Sequence, residues 1–118
     1  MSQTVLVVDD SSLARMMMRT LMSKNFPDVT LLEAASGKDA RLICDDQHVD
    51  IALLDYNMPG INGLDLALEL MNSCPDMQMY LVTANVQEAT RQRAEAAGLG
   101  FITKPVDAAQ LEPILTRG

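Results

Sequence analysis

Three acids, a hydroxyl and an ammonium stand where apolar runs end. Val5-Leu6-Val7-Val8 runs into Asp9-Asp10, Ile51-Ala52-Leu53-Leu54 into Asp55, Met77 to Val82 into Thr83, and Phe101-Ile102-Thr103 into Lys104. A short apolar run bounded by turn residues reads as a buried strand. Placed in one sheet, the runs deliver all five polar groups to one rim, the carboxyl edge where open α/β sheets bind ligands. Three carboxylates crowded to about 5 Å repel by roughly 3 kcal/mol per pair at an effective dielectric of about 20. Lys104 offsets part of this. A hard divalent ion held by oxygens offsets more, and the absence of nearby Cys or His ligands favours Mg²⁺ over a soft metal. The chemistry expected is a cation-dependent site that accepts an anion, with Asp55 as the reactive group ahead of the turn Tyr56-Asn57-Met58-Pro59-Gly60.

The segments between these runs must position them. Ser11 or Ser12 caps a first helix in which Ala14, Met17, Met18, Leu21 and Met22 follow i, i+3, i+4, i+7, i+8 and are expected to face the core. Leu13 and Met16 fall off that stripe and are expected to be exposed beside the rim. Pro27-Asp28 breaks the chain, Val29 to Ala34 reads as a strand, and Ser36-Gly37-Lys38-Asp39 opens a second helix with Asp39 in the capping-box position. Asn62-Gly63 precedes a third helix, rich in leucine, that ends before Pro75. Asn85 with Glu88 is expected to start a fourth helix, thin on its apolar side and closed at Gly98. Asp107 with Gln110 caps a last helix. Pro113 lies in its interior, where a proline removes a backbone bond at a cost of about 3 kcal/mol, so this helix is expected to be kinked or short. Five strands alternating with five helices imply a parallel sheet with helices on both faces and right-handed crossovers.

Composition narrows the function. The 118 residues suit one domain, expected over positions 1–118, that buries roughly two thirds of its unfolded surface. A net charge of -7 without a Lys/Arg cluster disfavours nucleic acid as a partner. No apolar run approaches the ~20 residues that span a bilayer, and no signal-peptide pattern opens the chain, so a cytoplasmic protein without a membrane role is expected. Cys44 and Cys74 are far apart and lack paired spacing, which predicts two reduced structural thiols. The single His48 sits in a polar loop.

Taken together, Val7-Val8-Asp9-Asp10-Ser11-Ser12, Leu54-Asp55-Tyr56-Asn57-Met58-Pro59-Gly60 with Gly63, Thr83-Ala84, Phe101 and Lys104-Pro105 resemble the receiver domain of two-component response regulators, single-domain chemotaxis regulators among them. The resemblance covers the whole chain. It implies a flavodoxin-like, doubly wound (βα)5 fold with strand order 2-1-3-4-5. It implies that Asp55 is the phosphoacceptor, attacking a phosphohistidine of a histidine kinase or phosphotransfer protein, or a small acyl phosphate. It implies that Asp9, Asp10 and Asp55 hold Mg²⁺ with the backbone carbonyl of Asn57, that Lys104 and Thr83 contact phosphoryl oxygens, and that Thr83 and Phe101 form a conformational switch. Leu13 and Met16, with Pro105, are implied as a docking patch for the phosphodonor, and Asn57 and Asn85 as positions that tune dephosphorylation. The downstream protein target is unspecified, and the chain is expected to catalyse only its own phosphorylation and dephosphorylation.

Two rivals fit less well. A metal-dependent phosphohydrolase with an aspartyl nucleophile, of the haloacid dehalogenase type, wants a second acid two residues after the nucleophile, where this chain has Asn57. A flavodoxin-like nucleotide binder wants a phosphate-cradling loop after the first strand, where Asp9-Asp10 would repel a phosphate.

Overall fold

The computed structural model describes residues 3–84 and 87–115. Its elements alternate in chain order: β1 (Thr4–Val8), α1 (Ser12–Asn25), β2 (Thr30–Ala34), α2 (Gly37–Asp46), β3 (Ile51–Asp55), α3 (Gly63–Ser73), β4 (Gln78–Thr83), α4 (Glu88–Ala96), β5 (Gly100–Thr103) and α5 (Ala108–Leu115). The five strands form one parallel sheet in the order β2-β1-β3-β4-β5. The fold expected from the alternation and from the resemblance is therefore present, order included.

Side chains of a strand alternate between faces, and the two halves of the core divide on that period. Leu6, Val8, Ala52 and Leu54 join the cluster under α2, α3 and α4. Val5, Val7, Ile51 and Leu53 join the cluster under α1 and α5. Because both faces are covered, Val5 to Val8 of β1 and Ile51 to Leu54 of β3 are continuous apolar runs, as buried parallel strands tend to be. Each fully buried leucine contributes about 1.5–3 kcal/mol relative to an exposed one. The strand order reverses between β1 and β3, which opens a crevice at their carboxyl ends.

Local signals set the helix starts. The Ser11 hydroxyl accepts from Ala14 N–H at 3.1 Å, Ser36 from Asp39 N–H at 3.2 Å, and the Asn62 side chain from Asp65 N–H at 2.8 Å. Asp107 and Gln110 make the reciprocal pair of a capping box, both bonds at 2.9 Å. Helix α5 runs through Pro113 and is held by buried Leu111, Ile114 and Leu115; its described part is short, at 8 residues.

One expectation needs correction. Met17 does not face the core: it is 60% exposed, beside Leu13 at 60% and Met16 at 48%. The buried arc of α1 centres on Met18 and Met22, and its margin is taken by Arg15. Met17 lies about 100° around the helix from Met18, beyond that arc. The expected start of α4 at Asn85 lies outside the described residues; among those described, the helix begins at Glu88 after Gln87, whose side chain makes no capping bond. Its thin apolar side is as expected, with Ala94 the one buried residue among the described residues of α4. Gly98, at φ +84, follows its end in the left-handed conformation that glycine adopts freely. No helix among the described residues is long and apolar enough to cross a membrane.

Candidate functional site

The carboxyl ends of β1 and β3 bring Asp9, Asp10 and Asp55 together, with one carboxylate oxygen of each within 4.8 Å of the others. Asp9 and Asp55 are buried, each at 6% exposure, and Asp10 is exposed. Lys104, arriving from the end of β5, places its ammonium 2.9 Å from Asp55 Oδ1 and 3.6 Å from Asp9 Oδ2. Three ionised carboxylates and one ammonium leave two negative charges. An all-oxygen donor set with that residual charge suits a hard divalent cation.

Backbone contacts fix each of these groups. Ser11 N–H donates to Asp9 Oδ1 at 2.9 Å, which turns the carboxylate toward the crevice, and the Arg15 guanidinium donates to the Asp9 carbonyl at 2.7 Å. Arg15 and Arg19 both engage Glu33 of β2, so α1 is strapped to the strand beside β1. Tyr56 N–H continues the ladder to the Val82 carbonyl at 3.0 Å, and Lys104 N–H to the Thr83 carbonyl at 3.0 Å. Below Asp55, Gly63 comes so close that a Cβ there would collide with the Asp55 carbonyl oxygen. Only glycine lets α3 start at that place.

The same crowding shifts two protonation equilibria. Asp55 is held above the ordinary carboxylate value, first by burial and then by the charges of Asp9 and Asp10, against the pull of Lys104. For Lys104, burial favours the neutral amine, but the hydrogen bond and charge of Asp55, with help from Asp9, outweigh it and raise the ammonium above its usual range.

The remaining residues singled out by sequence take these positions. Thr83 is buried at the end of β4. Phe101 of β5 pairs with Leu81 and packs at the edge of the cluster under α4, so the strand period puts it on the same face as Thr83. Asn57 is exposed in the turn two residues past Asp55. Leu13 and Met16 are exposed on α1, as expected, and Pro105 is exposed after Lys104, joined to it by a cis peptide bond. A groove of about 790 Å³ opens between α1 and the segment Lys104, Pro105 and Val106 after β5, is lined by Val7, Leu53 and Val82, and reaches Asp9 and Asp55. Asn85 lies outside the described residues.

Sequence reasoning missed Arg15, Met17 and Arg91. Arg15 carried a signal, since a helical arginine on the margin of an apolar stripe, six residues after an acid, can reach back to it. Arg91 of α4 sets its guanidinium 5.8 Å from the centre of the Phe101 ring, a contact between neighbouring elements that no helical or strand spacing marks. The two cysteines, expected as reduced thiols, are free.

Comparison with known proteins agrees with this geometry. Residues 5–116 match the response regulator receiver domain. The chemotaxis protein CheY of Thermotoga maritima is 31% identical over 118 residues, covering 99% of this chain and 98% of that protein. The cyclic di-GMP phosphodiesterase response regulator RpfG of Xanthomonas campestris is 35% identical over 105 residues, 86% of this chain, yet the chain spans only 28% of that protein. Among solved structures, the Vibrio cholerae chemotaxis protein CheY4 superposes with a TM-score of 0.85 at 24% identity, covering 99% of this chain and 98% of that one. A CheY-like receiver domain protein from Methanospirillum hungatei superposes with a TM-score of 0.87 at 22% identity, covering 97% and 91%. The structural likenesses carry the fold, and the match over nearly every residue carries the rest: the chain belongs to the response regulator receiver domain family.

Proposed function

We propose that residues 1–118 act as a cytoplasmic phosphoacceptor domain that takes a phosphoryl group onto Asp55 from a histidine kinase or phosphotransfer protein and relays the signal to a downstream protein by changing shape. The observation that carries this is the convergence of three carboxylates within 4.8 Å, with Lys104 2.9 Å from Asp55. A carboxylate oxygen of Asp55 attacks phosphorus, the bond from phosphorus to the donor nitrogen breaks, and an acyl phosphate forms. Asp9, Asp10, Asp55 and the backbone carbonyl of Asn57 would hold Mg²⁺, which supplies charge neutralisation for the transferring group. Lys104, already paired with Asp55, is placed to follow the charge onto a phosphoryl oxygen. The Thr83 hydroxyl serves another oxygen, and its shared face with Phe101 supports a coupled movement of the two. Leu13 and Met16, with Pro105, would receive the donor, and exposed Met17 enlarges that patch. The chain turns over no other substrate in this reading. The aspartyl phosphohydrolase reading finds no support in the family match.

Intact mass after incubation with acetyl phosphate and Mg²⁺ tests the proposal. The expected result is one phosphoryl addition that disappears in Asp55→Asn and in EDTA. An addition that persists in Asp55→Asn would overturn the assignment of the acceptor, and one that persists in EDTA would overturn the metal requirement. In the same assay, polar replacement of Leu13 and Met16 is expected to slow transfer from a kinase and leave acetyl phosphate labelling unchanged; equal loss with both donors would remove the docking role.

A further inference from the structure

Arg15 reaches back from the start of α1 toward the end of β1. Its guanidinium donates to the Asp9 carbonyl at 2.7 Å and lies 3.4 Å from Glu33, and its side chain is only 19% exposed. Glu33 stands beside Val7 in the register of β1 with β2, and paired residues of a parallel sheet turn their side chains to the same face, here the face that α1 covers. There the carboxylate also receives Arg19, one helical turn beyond Arg15, through two bonds of 2.7 and 3.1 Å. That hydrogen bond, with the charges of both arginines, holds the Glu33 carboxyl below the ordinary carboxylate value against the opposite effect of burial. Glu33 is therefore ionised and balances the charge of Arg15.

The bond from Arg15 falls on the peptide unit that joins the two rim acids. The Asp9 carbonyl and the Asp10 N–H share one rigid plane, so fixing the oxygen fixes the direction in which the chain presents Asp10. Asp9 is held besides by its own N–H, which donates to the Ala34 carbonyl at 3.0 Å, and by its carboxylate, which accepts from Ser11 N–H at 2.9 Å. Asp10 is exposed, where packing constrains a side chain least, so the plane of its peptide carries its placement. We infer that Arg15 is a positioning residue for cation binding: it holds that plane so that Asp10 joins Asp9 and Asp55 around a divalent ion, and its pairing with Glu33 keeps it from competing with the ion. The inference rests on the phosphoacceptor reading, in which these acids hold Mg²⁺.

Titration of the full chain with Mg²⁺, followed by backbone amide chemical shifts, tests it. Arg15→Met keeps the aliphatic stem and removes the donor; its Kd for Mg²⁺ is expected to rise about 10-fold, as when a metal ligand loses its supporting hydrogen bond. Arg19→Ala strips Glu33 of its other partner without touching Asp9 and is expected to stay within about 2-fold of wild type. In acetyl phosphate labelling, the Mg²⁺ concentration for half-maximal rate is expected to move with the Kd in Arg15→Met, while the rate at saturating Mg²⁺ is unchanged, because Asp55 and Lys104 are untouched. An unchanged Kd in folded Arg15→Met, or equal weakening in Arg19→Ala, would overturn the inference and leave the phosphoacceptor reading intact. Wild type that binds Mg²⁺ but takes no label would overturn the acceptor assignment alone, with Arg15 still judged by the titration. Wild type that binds no Mg²⁺ would overturn both.

Discussion

Helix α3 buries Leu64, Leu66, Ala67 and Leu70 and starts on the Asn62 side-chain cap, whereas α4 buries Ala94 alone among its described residues and starts at Gln87 without one. Both flank the same face of the sheet, but they serve different strands. Helix α3 begins directly under Asp55, on β3, whose five residues are all buried. Helix α4 lies against β5, where Arg91 over Phe101 is one of its few attachments, worth about 0.5–1 kcal/mol. The group proposed to react is thus held on a fully buried strand, and the groups proposed to move border the helix with the fewest buried residues among those described. Segments with few buried apolar contacts open locally at lower free energy.

The contrast is broken most directly by truncating its strong side. Leu66→Ala is expected to cost about 2–5 kcal/mol in urea unfolding, because the fully buried side chain leaves a cavity under β3. A loss below 1 kcal/mol would mean that α3 is no better anchored than α4.

The acid cluster offers a second test, in pH. The folded state binds the Asp55 proton more tightly than the unfolded chain does, since burial and the charges of Asp9 and Asp10 raise its value above the ordinary 3.8. The stability that goes with the protonated form is therefore full below about pH 3.8 and is lost as pH rises through the folded-state value. Asp55→Asn escapes that loss. Without Mg²⁺, its melting temperature relative to wild type is expected to climb across this window and then level off, and adding Mg²⁺ is expected to raise wild type alone. A difference that stays flat with pH would show that charge crowding at the rim costs the fold nothing.

The finest comparison concerns the two helix starts. Asn62→Ala removes a real cap and is expected to cost about 1 kcal/mol, while Gln87→Ala removes none and is expected to stay within about 0.5 kcal/mol of wild type. Equal costs would mean that Gln87 supports α4 by a contact other than a cap.

The pattern of the sheet was legible because continuous apolar runs such as Ile51-Ala52-Leu53-Leu54 have few alternatives in a chain this short, and because Asp9, Asp55, Thr83 and Lys104 each follow such a run. Caps at Ser11, Ser36, Asn62 and Asp107 were legible for a similar reason, since each acts within three residues. Met17 was misplaced because a helical stripe read by spacing has no fixed centre: Ala14, Met17 and Met18 fit one phase, and packing against the sheet chose another in which Arg15 takes the margin. The contact of Arg91 with Phe101 joins separate elements, and its partner is set by the fold rather than by local spacing.

The close seat of Gly63 beneath Asp55 has a mechanical consequence. With the backbone of α3 already against the Asp55 carbonyl, the acceptor strand has no free travel on that side. If Asp55 carries a bulky, charged group as proposed, its displacement toward α3 would meet backbone already in close approach. On the proposed phosphoacceptor reading, the direction left open is toward Thr83, Phe101 and α4, the helix with one buried residue among those described.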